Sequence, residues 1–228
     1  MEFINNKDRY CLWLVDAAPT DLLKMPLVVE RIEKCRQMRL ASPDAGTQKL
    51  ADKPMVFRET YNPDTFVVIP SVSSERRRYI PIGFLDGDTI ATNLVLIIPN
   101  ATLYHFGILT SNVHMAWTRT VCGRLKSDYR YSKDIVYNNF PWPNATDAQM
   151  AEIEKLAQRV LDARAEYPES TLADMYGETS MLYHTSLLNA HRELDRAVMK
   201  LYGFPVKDFS EADCVAALME MYQELTKQ

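Results

Sequence analysis

The chain has 228 residues, 47% of them hydrophobic and 25% charged, and a formal net charge of -4 at pH 7. This composition is typical of a globular protein with a sizeable core and excludes a disordered chain. No apolar run approaches the roughly 18 residues of a membrane-spanning helix. The start of the chain also lacks the basic and then apolar order of a signal peptide. We therefore expect a cytoplasmic protein that has no membrane partner.

The charge is distributed unevenly along the chain. Residues 144–228 hold 8 Lys and Arg against 15 Asp and Glu, whereas residues 1–143 hold 18 against 15. The overall acidity argues against a general binder of polyanions, but the basic side chains concentrate in the first part. A basic cluster is typical of a solvated surface and also of a nucleic-acid interface, and the charge leaves both open.

The first 143 residues predict an α+β domain. A helix is predicted over residues 27–42, and a second from about Ser111 to Gly123. Short runs of β-branched residues bounded by Pro, Gly, Asp and Asn predict strands, and their prolines favour edge or irregular pairing. These runs lie at residues 63–74, 77–85, 89–99 and 129–140.

A domain boundary is predicted near residue 143, where a segment with two prolines precedes a helical pattern. Thr146 and Gln149 predict a capping box, and apolar residues then recur at helical spacing. Gly203 and Pro205 end a second helical run, and Ser210 caps a third. The sequence therefore predicts an α+β protein, in which a mixed N-terminal domain (1–143) with short irregular strands precedes a C-terminal helical bundle (144–228).

The stretch "GRLKSDYRYSKD", residues 123–134, is rich in hydrogen-bonding side chains. If residues 125–131 are extended, alternate side chains project to opposite faces and repeat about every 7 Å along one face. A donor, an acceptor and a donor in a row fit base edges in the major groove of DNA. A surface ladder of ion pairs explains the same spacing. One face would carry Lys126, Asp128 and Arg130, and the other Tyr129 and Tyr131.

Other polar residues are candidates for DNA contacts. Asn93 is a further candidate for a base edge. Basic side chains near these positions are candidates for phosphate contacts, which set the register of a protein on the duplex; a solvated surface is the alternative. The candidates for phosphate contact are Arg76, Arg77, Arg78, Arg119, Arg124 and Lys133.

The sequence offers no catalytic or metal site. The four cysteines have no C-x-x-C pair, and the four histidines occur singly. No G-x-G sequence provides a phosphate or cofactor cradle, and no nucleophile, base and orienting group can be assembled. We therefore predict no catalytic residue, no metal ligand and no cofactor bound by this chain.

Long segments resemble the target-recognition region of MmeI-like (type IIL) restriction-modification enzymes, which methylate adenine in DNA. These are "IPSVSSERRRYIPIGFL", "NLVLIIPNATLYHFGILTSNVHMAW" and "CGRLKSDYRYSKDIVYNNFPWP", and the likeness continues through "STLADMYG" and "LLNAHRELDRAVMKLYG". The resemblance covers nearly the whole chain. It implies that the first domain reads base pairs and that Lys126, Asp128 and Arg130 contact bases.

The same resemblance implies parts that these residues do not contain. Enzymes of the family carry a methyltransferase domain, which binds S-adenosylmethionine and the flipped adenine, and an endonuclease domain. We therefore expect a non-catalytic fragment of a larger polypeptide, with double-stranded DNA and its own methyltransferase domain as partners. The alternative is a protein-interaction or interdomain docking module that uses the acidic C-terminal part and makes no base contact.

Overall fold

The computed structural model describes residues 2–227. They form two compact units: residues 9–62 make up one, and residues 2–8 together with 63–227 make up the other. Antiparallel sheets and helices occur together, so the predicted α+β class is confirmed.

The unit of residues 9–62 is helical. Its helices are α1 (Pro19–Leu22), α2 (Pro26–Leu40) and α3 (Ala45–Lys49), with a short 3-10 turn at Leu50–Asp52. The predicted helix after Pro26 is confirmed, and proline suits this position because the first helical N–H needs no partner. Arg39 donates to the carbonyls of Leu50, Lys53 and Val56 at 2.9, 2.8 and 2.7 Å, which fixes the end of α2 to the following loop.

The larger unit begins with a 3-10 turn at Phe3–Asn5 and then contains an antiparallel sheet around a buried central strand. The strands of this sheet are β1 (Thr65–Pro70), β3 (Gly83–Asp86) and β4 (Val95–Pro99), whereas β2 (Val72–Ser73) belongs to a second sheet. β1 pairs with β3 on one side and β4 on the other. Residues 66–69 of β1 are fully buried, as expected for a central strand covered on both faces.

Two helices follow the sheet: α4 (Leu103–Leu109) and α5 (Asn112–Val121). Thr102 and Ser111 cap their first turns through side-chain oxygens, so the predicted second helix is confirmed. Gly107 allows α4 to approach the C-terminal part closely, because a Cβ built there would lie 2.7 Å from Cγ2 of Ile153.

A second antiparallel sheet joins β2 to the strands β5 (Gly123–Leu125) and β6 (Asp128–Arg130), in the order β2-β6-β5. The extended structure predicted over residues 129–140 is wrong beyond the first residues. Lys133–Tyr137 form a π-helical turn, in which the Ser132 side chain accepts from the Ile135 N–H. The β-branched Ile135 and Val136 indicated a strand, but Val136 is buried and its carbonyl accepts from the Trp117 indole, so tertiary contacts decide.

The C-terminal part is helical, as predicted. Its helices are α6 (Asp147–Ala165), α7 (Leu172–Met175), α8 (Thr185–Leu201) and α9 (Glu211–Thr226), with a 3-10 turn at Ser180–Leu182. The predicted capping box of Thr146 and Gln149 is present, and Ser210 caps α9 together with Asp213. Gly203 ends α8 with a φ of 74°, a left-handed conformation that glycine adopts at little cost.

One hydrophobic core contains residues from both sides of the predicted boundary at residue 143. Trp117 and Tyr131 on one side, and Val160 and Leu194 on the other, belong to the same buried cluster. The division into a recognition domain (1–143) and a helical domain (144–228) therefore stays a prediction. Within residues 2–227 no helix has the length and apolar character needed to cross a membrane.

Candidate nucleic-acid interface

The polar stretch forms a β-hairpin, which we call the 123–130 hairpin (Gly123–Arg130). Leu125 pairs with Asp128, so Lys126 and Ser127 form a two-residue turn. The single extended strand predicted over residues 125–131 is therefore wrong. The physical reason is that Lys126 adopts a left-handed φ of 58°, which reverses the chain direction.

The reversal changes the arrangement of the three predicted base-contacting residues. Lys126 lies at the exposed tip of the 123–130 hairpin, whereas Asp128 and Arg130 alternate along β6. Asp128 is half-buried and Arg130 is exposed. The predicted row along one strand is thus reduced to two side chains on β6, with the third beside them at the turn.

The opposite face of β6 packs against the core. Tyr129 is 4% exposed, and Tyr131, just after the strand, is 3% exposed. The Tyr131 hydroxyl lies 3.0 Å from Nε2 of His114, and burial lowers the pKa of that histidine to about 3. The predicted separation of the two tyrosines from Asp128 and Arg130 is confirmed, because the tyrosines anchor the face opposite the polar one.

The segment that follows β2 turns back over the hairpin, and we call residues 74–77 the 74–77 turn. The Glu75 N–H donates to Oδ1 of Asp128 at 3.4 Å, and the Glu75 carbonyl accepts from the Tyr129 hydroxyl at 3.3 Å. The Glu75 carboxylate lies 3.9 Å from the Arg124 guanidinium. These contacts connect the basic cluster around Arg77 directly to the 123–130 hairpin.

The three consecutive arginines have different surroundings. Arg76 is exposed, and Arg77 is half-buried. Burial lowers the pKa of Arg77, and the negative charge of Asp128 acts in the opposite direction. Arg78 donates from Nε to the Tyr79 hydroxyl at 3.1 Å. The three arginines therefore differ in burial and in hydrogen-bond partners.

The other predicted phosphate contacts already have protein partners. Arg119 donates to Glu211 at 2.9 Å and to the Arg78 carbonyl at 2.7 Å. Arg124 donates to the Ser127 carbonyl at 3.0 Å, and its guanidinium carbon lies 4.3 Å from the centre of the Tyr129 ring. Lys133 forms a 2.6 Å pair with its neighbour Asp134, and both side chains remain exposed. Among these three, Lys133 is the most accessible.

Asn93 lies at an exposed turn just before β4. The next carbonyl, of Leu94, accepts from the N–H and hydroxyl of Ser71 at 3.1 and 2.6 Å. The Ser71 carbonyl in turn accepts from the Tyr131 N–H at 2.9 Å. Ser71 therefore connects the residue after Asn93 to the residue after β6 through hydrogen bonds.

Sequence reasoning missed three residues in these segments. Leu94 follows Asn93 and Leu125 precedes Lys126, and these large apolar side chains are 56% and 50% exposed. Their signal was an apolar residue in a turn or polar stretch, which suits contact with a thymine methyl group. Glu75 had no signal in the sequence, because two of its three contacts are made by its backbone.

A buried polar network begins at Tyr79, the residue after the three arginines, and its members are Tyr79, Arg164, Tyr176, His191 and Asp195. The Tyr79 hydroxyl donates to Asp195 at 2.5 Å, and the Tyr79 ring stacks on His191 with centroids 4.1 Å apart. His191 lies 2.7 Å from the Tyr176 hydroxyl, which accepts from Nε and Nη2 of Arg164 at 2.9 and 2.6 Å. The network joins the segment after the arginines to α6 and α8.

Asp195 is the carboxylate of the buried polar network. Burial raises its pKa to about 6, although the Tyr79 hydroxyl and the Asn112 N–H, at 2.8 Å, both favour the ionised form. Within residues 2–227, no group of three or more His, Cys, Asp or Glu is placed to hold a metal ion. The carboxylate of the buried polar network is thus held by protein donors, whereas Lys126 and Arg130 of the hairpin are exposed.

Comparisons with known proteins cover the whole chain. A family model described as "MmeI, target recognition domain" matches residues 1–144, and one described as "MmeI, C-terminal domain" matches residues 145–228. The chain is 42% identical over 230 residues to DNA methyltransferase A of Bacillus subtilis (strain 168), covering 100% of this chain and 26% of that protein. A solved structure of the type IIL restriction-modification enzyme MmeI in complex with DNA matches with a TM-score of 0.94 and 43% identity, covering 100% of this chain and 30% of that one. The chain therefore spans less than a third of either relative.

Proposed function

The chain belongs to the MmeI family, with a target recognition domain followed by the family's C-terminal domain, and from this premise we propose that it recognises a specific sequence in double-stranded DNA. The matched enzyme was solved in complex with DNA, and the matched relative is named as a DNA methyltransferase. We propose that the chain is part of a longer polypeptide of the same kind. Its methyltransferase domain would bind S-adenosylmethionine outside these 228 residues.

One observation carries the proposal: the polar face of β6 presents the exposed Arg130 beside the half-buried Asp128, within the domain that matches the family's target recognition domain. Arg130 offers the planar donors that fit O6 and N7 of guanine, and Asp128 offers an acceptor for N4 of cytosine. A guanine–cytosine pair presents both groups in the major groove. Lys126 at the tip of the hairpin and Asn93 at the turn before β4 would add further base-edge contacts.

Phosphate contacts would position this surface on the duplex. Arg76 and Lys133 are exposed, so we propose that they contact phosphates directly. The side chains of Arg119 and Arg124 already donate to carbonyls or to Glu211, so they would reach phosphate only by exchanging those partners. Arg78 donates to Tyr79, and the same condition applies to its predicted phosphate contact.

The test is a binding measurement on the intact protein with duplexes that differ from a preferred sequence at single base pairs. We expect Asp128→Ala and Lys126→Ala each to relax the preference at one base pair by about 1–3 kcal/mol, because each removes a base-edge contact. Affinity should also fall steeply with salt, because phosphate contacts release counterions. A preference profile that is the same in the wild type and both variants would contradict the proposal.

The same measurement addresses the docking alternative. A groove of about 450 Å³ between α6 and α8 is lined by charged side chains, among them Glu152, Arg159 and Arg196. It offers a surface on which another domain can dock. If the main role of the chain is docking, the duplexes should bind weakly and without sequence preference, and Asp128→Ala should have no effect on them.

A further inference from the structure

Arg77 is unlike the arginines on either side of it. Its side chain is half-buried, and its Nε is excluded from solvent without a hydrogen-bond partner among residues 2–227. Arg76 is exposed, and Arg78 bonds to Tyr79. A partly desolvated guanidinium is costly unless an opposite charge compensates it. The charge that acts on Arg77 is the Asp128 carboxylate.

The backbone holds Arg77 in this relation to Asp128. The Arg77 N–H donates to the Ser74 carbonyl at 3.1 Å, which closes the 74–77 turn. The same turn is fixed to the hairpin through Glu75, whose N–H donates to Oδ1 of Asp128 and whose carbonyl accepts from the Tyr129 hydroxyl. The turn and the 123–130 hairpin therefore form one hydrogen-bonded unit, with Arg77 and Asp128 on its two parts.

We infer that Arg77 is a positioning residue for Asp128, keeping the carboxylate oriented toward the base edge, and that it does not contact a DNA phosphate. This inference rests on the proposed function. The Glu75 N–H occupies Oδ1 of Asp128, which leaves Oδ2 to accept from a base amino group. A side chain that reads bases keeps its discrimination only when neighbouring groups fix its rotamer. Arg77 would supply that support from the 74–77 turn, which is hydrogen-bonded to the hairpin.

Two roles of Arg77, contact with a phosphate and positioning of Asp128, predict different binding profiles. If Arg77 contacts a phosphate, its loss weakens all duplexes equally. If Arg77 positions Asp128, its loss changes the preference at the base pair that Asp128 reads and leaves the other positions unchanged. In that case the effects of replacing Arg77 and of replacing Asp128 do not add, because both act on the same base contact.

The experiment measures binding of the intact protein to the panel of single-base variants, for Arg77→Ala, Asp128→Ala, the double variant and the matched control Arg76→Ala. We expect Arg77→Ala to reduce discrimination about tenfold at the position that Asp128→Ala affects, a size within the range of one base contact. The double variant should resemble Asp128→Ala alone. Arg76→Ala should weaken all duplexes alike and lower the salt dependence by about one counterion.

Two further variants distinguish a loss of positioning from a loss of folding. Arg77→Lys keeps the charge near Asp128 and should keep most of the preference. Arg77→Met keeps the buried aliphatic part and should lose the preference at the same position as Arg77→Ala, with the melting temperature measured for each. A uniform loss of affinity in Arg77→Ala and Arg77→Met, with the profile intact, overturns the inference. A wild type without any preference, or an Asp128→Ala variant with the wild-type profile, would instead contradict the proposed function.

Discussion

The buried polar network and the 123–130 hairpin are built from the same kinds of residue and differ in their partners. Each contains arginine, aspartate and tyrosine. In the network, Asp195 accepts from Tyr79 and from the Asn112 N–H, and Arg164 donates to Tyr176 and to the Ile82 carbonyl. On the hairpin, Arg130 is exposed. Polar groups that the protein satisfies belong to the framework, whereas exposed groups on a rigid support are available for a ligand.

The largest effect is expected when the buried polar network loses its arginine, Arg164. Arg164→Met should lower the free energy of unfolding by about 2–4 kcal/mol, because the buried Ile82 carbonyl and Tyr176 hydroxyl lose their charged donor. Denaturant unfolding followed by circular dichroism measures this change.

The matched control for this variant is Arg159→Met. Arg159 pairs with Glu193 on the surface, with both side chains well exposed, so its loss should change the free energy of unfolding by less than about 1 kcal/mol. If Arg164→Met and Arg159→Met unfold at the same denaturant concentration, the buried polar network does not stabilise the fold as we predict.

A smaller effect of opposite sign is expected at the tip of the hairpin. Lys126 has a φ of 58°, a conformation that costs a non-glycine residue about 1 kcal/mol. Lys126→Gly should therefore raise the free energy of unfolding by about 0.5 kcal/mol, after the greater chain entropy of glycine is subtracted. The same variant should lose base preference, because it removes the Lys126 donor.

Unfolding and duplex binding of Lys126→Gly and Lys126→Ala, measured side by side, test this expectation. Lys126→Ala keeps the strain and loses the donor, so it should match Lys126→Gly in binding and be less stable. Equal stability of the two variants would show that the left-handed conformation at the tip carries no cost.

The helical half of the fold was predictable from local sequence. Thr146 with Gln149 and Ser210 with Asp213 mark helix starts through capping contacts three residues apart, and Gly203 marks an end. The hairpin was not predictable, because its turn is Lys126–Ser127 and lacks the Asn-Gly or Asp-Gly signal of such turns. The π-helical turn at Lys133–Tyr137 was also missed, because its β-branched residues favour a strand.

The candidate site was predictable in its residue types and only partly in its geometry. Alternation along β6 correctly separated Asp128 and Arg130 from the tyrosines. The relation between Arg77 and Asp128, and the bond between Tyr79 and Asp195, join residues 51 and 116 positions apart. Such pairs depend on how distant segments of the chain pack together, which no local pattern in a single sequence reports.

Amide hydrogen exchange of the intact protein, with and without its preferred duplex, tests the central claim most directly. A duplex altered at the base pair that Asp128 reads serves as the control. We expect the preferred duplex to slow exchange in the 123–130 hairpin and the 74–77 turn, and to leave α8 around Asp195 unchanged. Slowed exchange in α6 and α8 with an unchanged hairpin would contradict the account, because the ligand would then meet the helical part and not the exposed face of β6.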